Sequence, residues 1–163
     1  MEIDETIHVP SDTATVWALL SDPRAVVECV DGATLGDRQE DGSYEARLTV
    51  RFGPAKVGFG ARVAIEMDEH TRSGTVTSRG KDTQGGTRFA ASTRFRVEAS
   101  EEGDGSTIRI KSQVDITGRL ASLIESGASL VIKRMTKDFS ERLVARCLGT
   151  VPTGEAVSAK LDD

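Results

Sequence analysis

Three features of the chain point to an α+β domain in which one antiparallel sheet lies beneath a long terminal helix. From Ala33 to Gly118, apolar and polar side chains alternate in successive runs. From Arg119 to Gly149 the apolar residues recur every three or four positions instead. Two short helical patterns separate the first strand from the rest. Alternation by twos marks a sheet buried on one face and wet on the other, whereas the longer period marks an amphipathic helix. The apolar face of such a sheet must be covered, and the last helix is the only element expected to be able to cover it.

The elements follow in order. "EIDETIHV" (2–9) sets Ile3, Ile7 and Val9 against acids, Thr6 and His8, with Glu5 interrupting the apolar side, and Pro10 stops the strand. Ser11 stands where an N-cap belongs, Asp12 suits the positive helix end, and "TATVWALL" supplies the stripe Val16, Trp17 and Leu20. Asp22 caps a second short helix with Pro23 at its first position, and that helix runs into "ECVDGATL" (28–35), where Asp31-Gly32 makes a turn.

Four strands then place Tyr44, Ala46, Leu48, Val50 and Phe52 on one face; Phe59, Ala61, Val63, Ile65 and Met67; Phe89, Ala91, Thr93, Phe95 and Val97; and Ile108, Ile110, Ser112, Val114 and Ile116. Turns are expected at "EDGS", "GPAKVG", "DEHTRSG", "GKDTQGG" and "SEEGDGS", and "SGTVTSRGKD" (73–82) reads as a polar, weakly marked strand. Leu120, Leu123, Ile124, Val131, Met135, Phe139 and Leu143 trace the last helix, with Ser126-Gly127 as a point for a break or bend and Gly149 as its C-terminal cap. One domain over 1–149 and a mobile tail over 150–163 are expected.

The net charge of −5 disfavours nucleic acid, which needs a basic footprint. No apolar run approaches the ~20 residues that span a bilayer. The acidic, alternating start does not read as a signal peptide, and two distant cysteines make no disulfide framework, so a cytoplasmic location is expected.

Several stretches resemble the CoxG family, named for the G subunit of carbon monoxide dehydrogenase, within the START-like (SRPBCC) helix-grip superfamily. These are "VWALLSDPRAVVECVDGA" (16–33), "VRFGPAKVGFGARV" (50–63), "GKDTQGG" (80–86) and "DITGRLASL" (115–123). The family's corner is Cys, one residue, Pro, Gly, Ala. Cys29, Gly32 and Ala33 match it, while Asp31 stands where Pro is usual. The resemblance implies a helix-grip fold, a curved sheet wrapped around the terminal helix. It also implies an accessory protein rather than a catalyst. Family members are associated with molybdenum hydroxylases, with proposed roles in membrane recruitment and in carrying a quinone. Many also carry a longer C-terminal extension linked to membrane attachment; here the last residues hold no apolar run.

Candidate chemistry is sparse. Cys29 sits at a helix C-terminal end beside Glu28, the wrong pole for a thiolate, so a structural corner is expected rather than a nucleophile. His8, His70, Cys29 and Cys147 show no metal-ligand spacing, and the glycines of "GFGARV" and "GKDTQGG" read as hairpin residues, not phosphate loops. None of the inward positions named on the four strands holds Asp, Glu, His, Lys, Arg or Cys, the groups that general acid–base chemistry mostly draws on.

The expectation is therefore a non-catalytic protein with no metal and no covalent cofactor. It would bind a quinone-like or lipid-like molecule in an apolar cavity and serve a molybdenum hydroxylase of the carbon monoxide dehydrogenase type. The ligand-contacting set would be Trp17, Phe52, Phe59, Ala61, Phe89, Ala91, Phe95, Ile124, Met135 and Phe139. Lys133, Arg134 and Lys137 lie in a positive stretch of the last helix, expected to touch an acidic partner or the inner membrane surface. The alternatives are a cyclase or hydratase of the same superfamily, which needs polar groups inside the cavity, and a docking protein with a filled core.

Overall fold

The computed structural model describes residues 1–101 and 103–149. The tail expected over 150–163 lies outside them. The order is β1 (Glu2–Val9), α1 (Thr13–Leu20), α2 (Pro23–Glu28), β2 (Ala33–Arg38), β3 (Tyr44–Phe52), β4 (Ala55–Asp68), β5 (Ser73–Asp82), β6 (Thr87–Ala99), β7 (Ser106–Gly118) and α3 (Ala121–Cys147). All strands form one antiparallel sheet in the order β1-β7-β6-β5-β4-β3-β2. Consecutive strands from β2 to β7 are neighbours, and β1 crosses over to pair with β7, so the chain's first strand closes the far edge.

Local chemistry explains most boundaries. Asp22 accepts a hydrogen bond from the Arg24 amide at 3.1 Å, and Pro23 opens α2, as expected. Two readings shift. Asp12, not Ser11, occupies the N-cap of α1, because the Ser11 carbonyl instead accepts from the Ser106 hydroxyl at 2.6 Å. "GPAKVG" is not a turn as a whole: Phe52 pairs with Ala55, so Gly53-Pro54 alone reverses the chain, and Val57 joins the core. Gly53 permits this with φ +63°, a value that a side chain resists.

The last helix is continuous through Ser126-Gly127, without the expected interruption. Gly127 faces Phe52, whose ring an added Cβ would meet at 3.4 Å. Leu148 is the C-cap, with Gly149 after it. At the other end, the Leu120 amide donates to the Thr87 hydroxyl at 2.8 Å, tying the start of α3 to the β5–β6 hairpin.

The core is divided. One cluster gathers Val16, Trp17 and Leu20 of α1, Ile7 and Val9 of β1, Val97, Ile108, Cys29 and Leu143. The other holds Val50, Phe52, Val57, Phe59, Ile124 and Val131. The last helix is thus not the only cover, since α1 packs its apolar stripe on the sheet, with the Trp17 and Phe95 ring centroids 6.1 Å apart. The backbone of α3 approaches β1 and β3, near the two margins of the sheet, and β7 less extensively, with no comparable approach to β4, β5 or β6.

Cys29 is the C-cap of α2 and has no exposed surface. Burial pushes its thiol above the ordinary value, which disfavours a nucleophilic thiolate. Gly32 follows with φ +81°, and a Cβ there would lie 2.5 Å from the Thr49 carbonyl oxygen. Glu28 and Arg146 form an ion pair at 2.5 Å, while Arg142 reaches Asp31 at 3.7 Å and Asp138 at 3.1 Å. The corner is therefore the seat against which the end of α3 rests. Cys29→Ser is expected to lower stability by about 1–3 kcal/mol, the cost of placing a hydroxyl in an apolar site. Thermal and urea unfolding would measure it, and ligand binding by the folded variant should stay near the wild-type value; a folded variant without function would make the thiol chemical.

Candidate functional site

Between the two packed clusters runs a strip of sheet that neither contains. Cross-strand register sets Tyr44, Val63, Ser78, Ala91 and Val114 in one inner row. Ile65, Val76, Thr93, Ser112 and Ile3 form the next. All are half-buried, whereas inner residues at the two ends of the sheet, such as Ile108 and Phe59, are closed off. The strip lies where α3 does not descend to the sheet, and solvent reaches it.

Side-chain size opens this strip. Ser78 and Ala91 lie within it, and Ala61 and Gly80 in the adjoining row toward Phe89. A Cβ on Gly80 would come within 2.7 Å of the Phe89 ring and closer still to the Gly60 carbonyl, so Gly80 lets Phe89 lie flat against β5. The polar atoms of the strip are hydroxyls. Those of Thr93 and Ser112 bond each other at 2.7 Å, and that of Ser78 makes no hydrogen bond among the described residues.

The expected contact residues separate into groups. Trp17, Phe95 and Phe139 belong to the cluster at one end of the strip, and Phe52, Phe59, Phe89, Ile124 and Met135 to the other. Ala61 and Ala91 lie between. Trp17, Phe52, Phe59 and Ile124 are buried and act as walls behind the surface, while Ala61, Phe89, Ala91, Phe95, Met135 and Phe139 are half-exposed. Phe59 and Phe89 meet edge to face at 5.5 Å. Sequence reasoning passed over Val76 and Ser78, because β5 carries small and polar residues on both faces and its alternation gives little contrast.

Besides the Tyr44 phenol, two ionisable groups share the inner face. Glu5 stands in register with Ile110 on the edge strand. Asp82 is buried at the opposite end, where one carboxylate oxygen accepts from the Gly86 amide at 3.0 Å and the other has no partner among the described residues. The two are on strands separated by β7 and β6 and do not converge on a common point. Among the described residues no group of His, Cys, Asp and Glu could hold a metal ion.

A cleft of about 670 Å³ opens at the rim, bounded by Val30, Gly32, Val50, Arg51, Met135 and Asp138. Arg134 stands beside it and donates to the Arg51 carbonyl at 3.0 Å, so this residue pins α3 to β3. Lys133 and Lys137 are exposed, and so is Leu130, at 77 %. None of the helices among the described residues is long and apolar enough to cross a membrane.

The fold matches solved structures at low sequence identity. A conserved protein from Geobacillus kaustophilus superposes with a TM-score of 0.78 at 16 % identity, covering 91 % of this chain and 96 % of the other. The Zhui aromatase/cyclase from Streptomyces sp. R1128 gives 0.61 at 12 % identity, over 90 % and 93 %. A START superfamily protein from Mycobacterium smegmatis gives 0.56 at 18 % identity, over 87 % and 96 %. These likenesses establish the helix-grip fold. No curated protein matches in sequence. The family model for CoxG, the G subunit of carbon monoxide dehydrogenase, matches residues 6–147, nearly the whole described chain, and the protein belongs to that family.

Proposed function

We propose that this protein is a non-catalytic carrier of a lipophilic small molecule, quinone-like or lipid-like, held between the sheet and α3. The observation that carries the reading is the half-exposed, uncharged strip between two closed clusters. Apolar surface left open to water is a standing cost that a ligand removes. A ligand burying ~200 Å² of apolar area there gains about 5 kcal/mol at ~25 cal/mol per Å². The Ser78 hydroxyl, without a partner, supplies one donor to a carbonyl oxygen, which suits a quinone better than a plain hydrocarbon.

A cyclase or hydratase would need an acid and a base facing one substrate atom. Glu5 and Asp82 are at opposite ends of the inner face, which favours carriage over chemistry. Family membership supports a molybdenum hydroxylase of the carbon monoxide dehydrogenase type as the partner served, in the cytoplasm. For the exchange of a water-insoluble cargo, the exposed Leu130 with Lys133 and Lys137 gives α3 an apolar and cationic face for peripheral contact with an anionic bilayer.

Two outcomes follow. Calorimetric titration with a short-chain naphthoquinone should show binding to the wild type and none to Ala61→Trp or Ala91→Trp, with cooperative unfolding retained. Unaltered binding in both filled variants would place the ligand elsewhere, and absence of binding in the wild type would leave the docking role. Separately, Lys133→Glu with Lys137→Glu should weaken sedimentation with phosphatidylglycerol vesicles by about tenfold, as should raising the salt from low to physiological strength. Vesicle association insensitive to both would remove the α3 contact.

A further inference from the structure

The face of the sheet turned away from α3 has a character of its own. The residues that alternate with the inner rows point outward, and a depression of about 870 Å³ crosses them from β2 to β7. Gly36 and Gly60 lie in its floor, and a Cβ on Gly60 would meet nothing within 4 Å. Arg47, Arg62, Arg79, Lys81 and Arg88 rise around it, all exposed. The outward carboxylates at its edge are Glu45 and Asp115. Among the described residues none of the five cations forms an ion pair.

Register makes this arrangement costly for the sheet alone. Arg62 stands directly opposite Arg79, and Lys81 directly opposite Arg88. Like charges opposite each other on one face destabilise an antiparallel pair. Glu45 stands opposite Arg62 on β3, but no carboxylate stands opposite Arg79, Lys81 or Arg88, although a protein of net charge −5 has carboxylates to spare. The repulsion is relieved when an anion occupies the depression.

We propose that this outer groove is a docking site for an acidic, extended segment of a partner protein. Its cations extend from β3 to β6, three strand spacings or about 14 Å, the length of about four to five residues in extended conformation. A single phosphate would meet only part of that line. No aromatic side chain points outward between β3 and β7, so the groove offers no stacking platform for bases. No large apolar side chain points outward there either, and the basic residues surround a hollow, both of which disfavour insertion into a bilayer. The groove opens on the face opposite the inner strip, with Ala61, Gly80 and Phe89 bordering both, and the proposal does not depend on that strip carrying a ligand.

The test uses the full chain and a fluorescein-labelled octaglutamate peptide, with binding read by anisotropy at low salt. Arg79→Glu and Lys81→Glu should each weaken binding by about tenfold, and physiological salt should weaken the wild type similarly. Lys111→Glu, on the same face outside the groove and with the same change in net charge, should stay within about twofold of the wild type. Thermal unfolding checks each fold, and Arg79→Gln provides a milder variant. Absence of peptide binding, or equal weakening by Lys111→Glu and Arg79→Glu, would overturn the proposal. So would tighter binding of octathymidylate or of phosphatidylglycerol vesicles that is lost in Arg79→Glu, since the groove would then serve a different polyanion.

Discussion

The helix α3 rests near the margins of the sheet, on β1 and β3, and this placement determines the rest of the structure. A helix is a cylinder about 10 Å across, whereas a sheet of seven strands is roughly 30 Å wide before it curves. Curvature brings the edges up to meet the helix but carries the middle away from it. Large residues fill the gap at each end of the contact, Trp17 and Phe95 at one and Phe52 and Phe59 at the other. In the middle the residues are small, Ala61, Ser78 and Ala91, and they stay half-buried.

Half-exposed apolar surface beside an amphipathic helix favours the helix sinking onto it, because the lining atoms forfeit dispersion contacts they would otherwise make. Polar anchors at the ends of α3 oppose that collapse. The Thr87 hydroxyl holds the Leu120 amide at the N-terminal end. Glu28 and Asp31 hold Arg146 and Arg142 at the C-terminal end, and Arg134 reaches the β3 backbone between them. The surface ion pairs contribute under about 1 kcal/mol each. Their value lies in direction, since they fix α3 against the corner built on Cys29 and Gly32. That corner requires a buried small side chain and a residue with no Cβ, which gives the short motif at 29–33 a packing origin.

Strand positions were legible wherever one face was apolar and the other charged. The β3 segment, with Arg47 and Glu45 against Leu48 and Ala46, left no doubt about which face was inner. The long helix was equally legible from its period. The β5 strand was faint, because Ser78 and Gly80 face inward and Thr75 and Thr77 outward, so hydrophobicity does not separate the faces. The start of β4 was misjudged because Gly53 and Pro54 resemble a longer turn, while the register shows that two residues suffice. The aromatic residues expected to contact a ligand flank the strip, but their division into buried walls and half-exposed lining was not foreseen. That division depends on how close α3 comes, a tertiary distance without a local signature. The role of α1 as a second cover was missed for the same reason.

The same alternation that shields the inner strip also creates the outer face. Apart from Asp82 at the end of β5, each strand from β3 to β6 sends uncharged residues inward and Arg or Lys outward, so the two surfaces are opposite faces of one backbone. A shift of one residue in register would exchange them, placing Arg62 and Arg79 under α3. The burial cost of unpaired guanidinium groups makes that slip far worse than losing an apolar contact. The basic face therefore enforces the register on which the inner strip depends, in addition to any partner it meets. Gly60 and Gly80 show the separation at its closest. Both are in the β4–β5 ladder, yet Gly60 borders open space in the outer groove whereas Gly80 is pressed beneath Phe89 on the inner side. One thin layer thus presents two unlike environments, and a substitution on one face reaches the other only through the backbone.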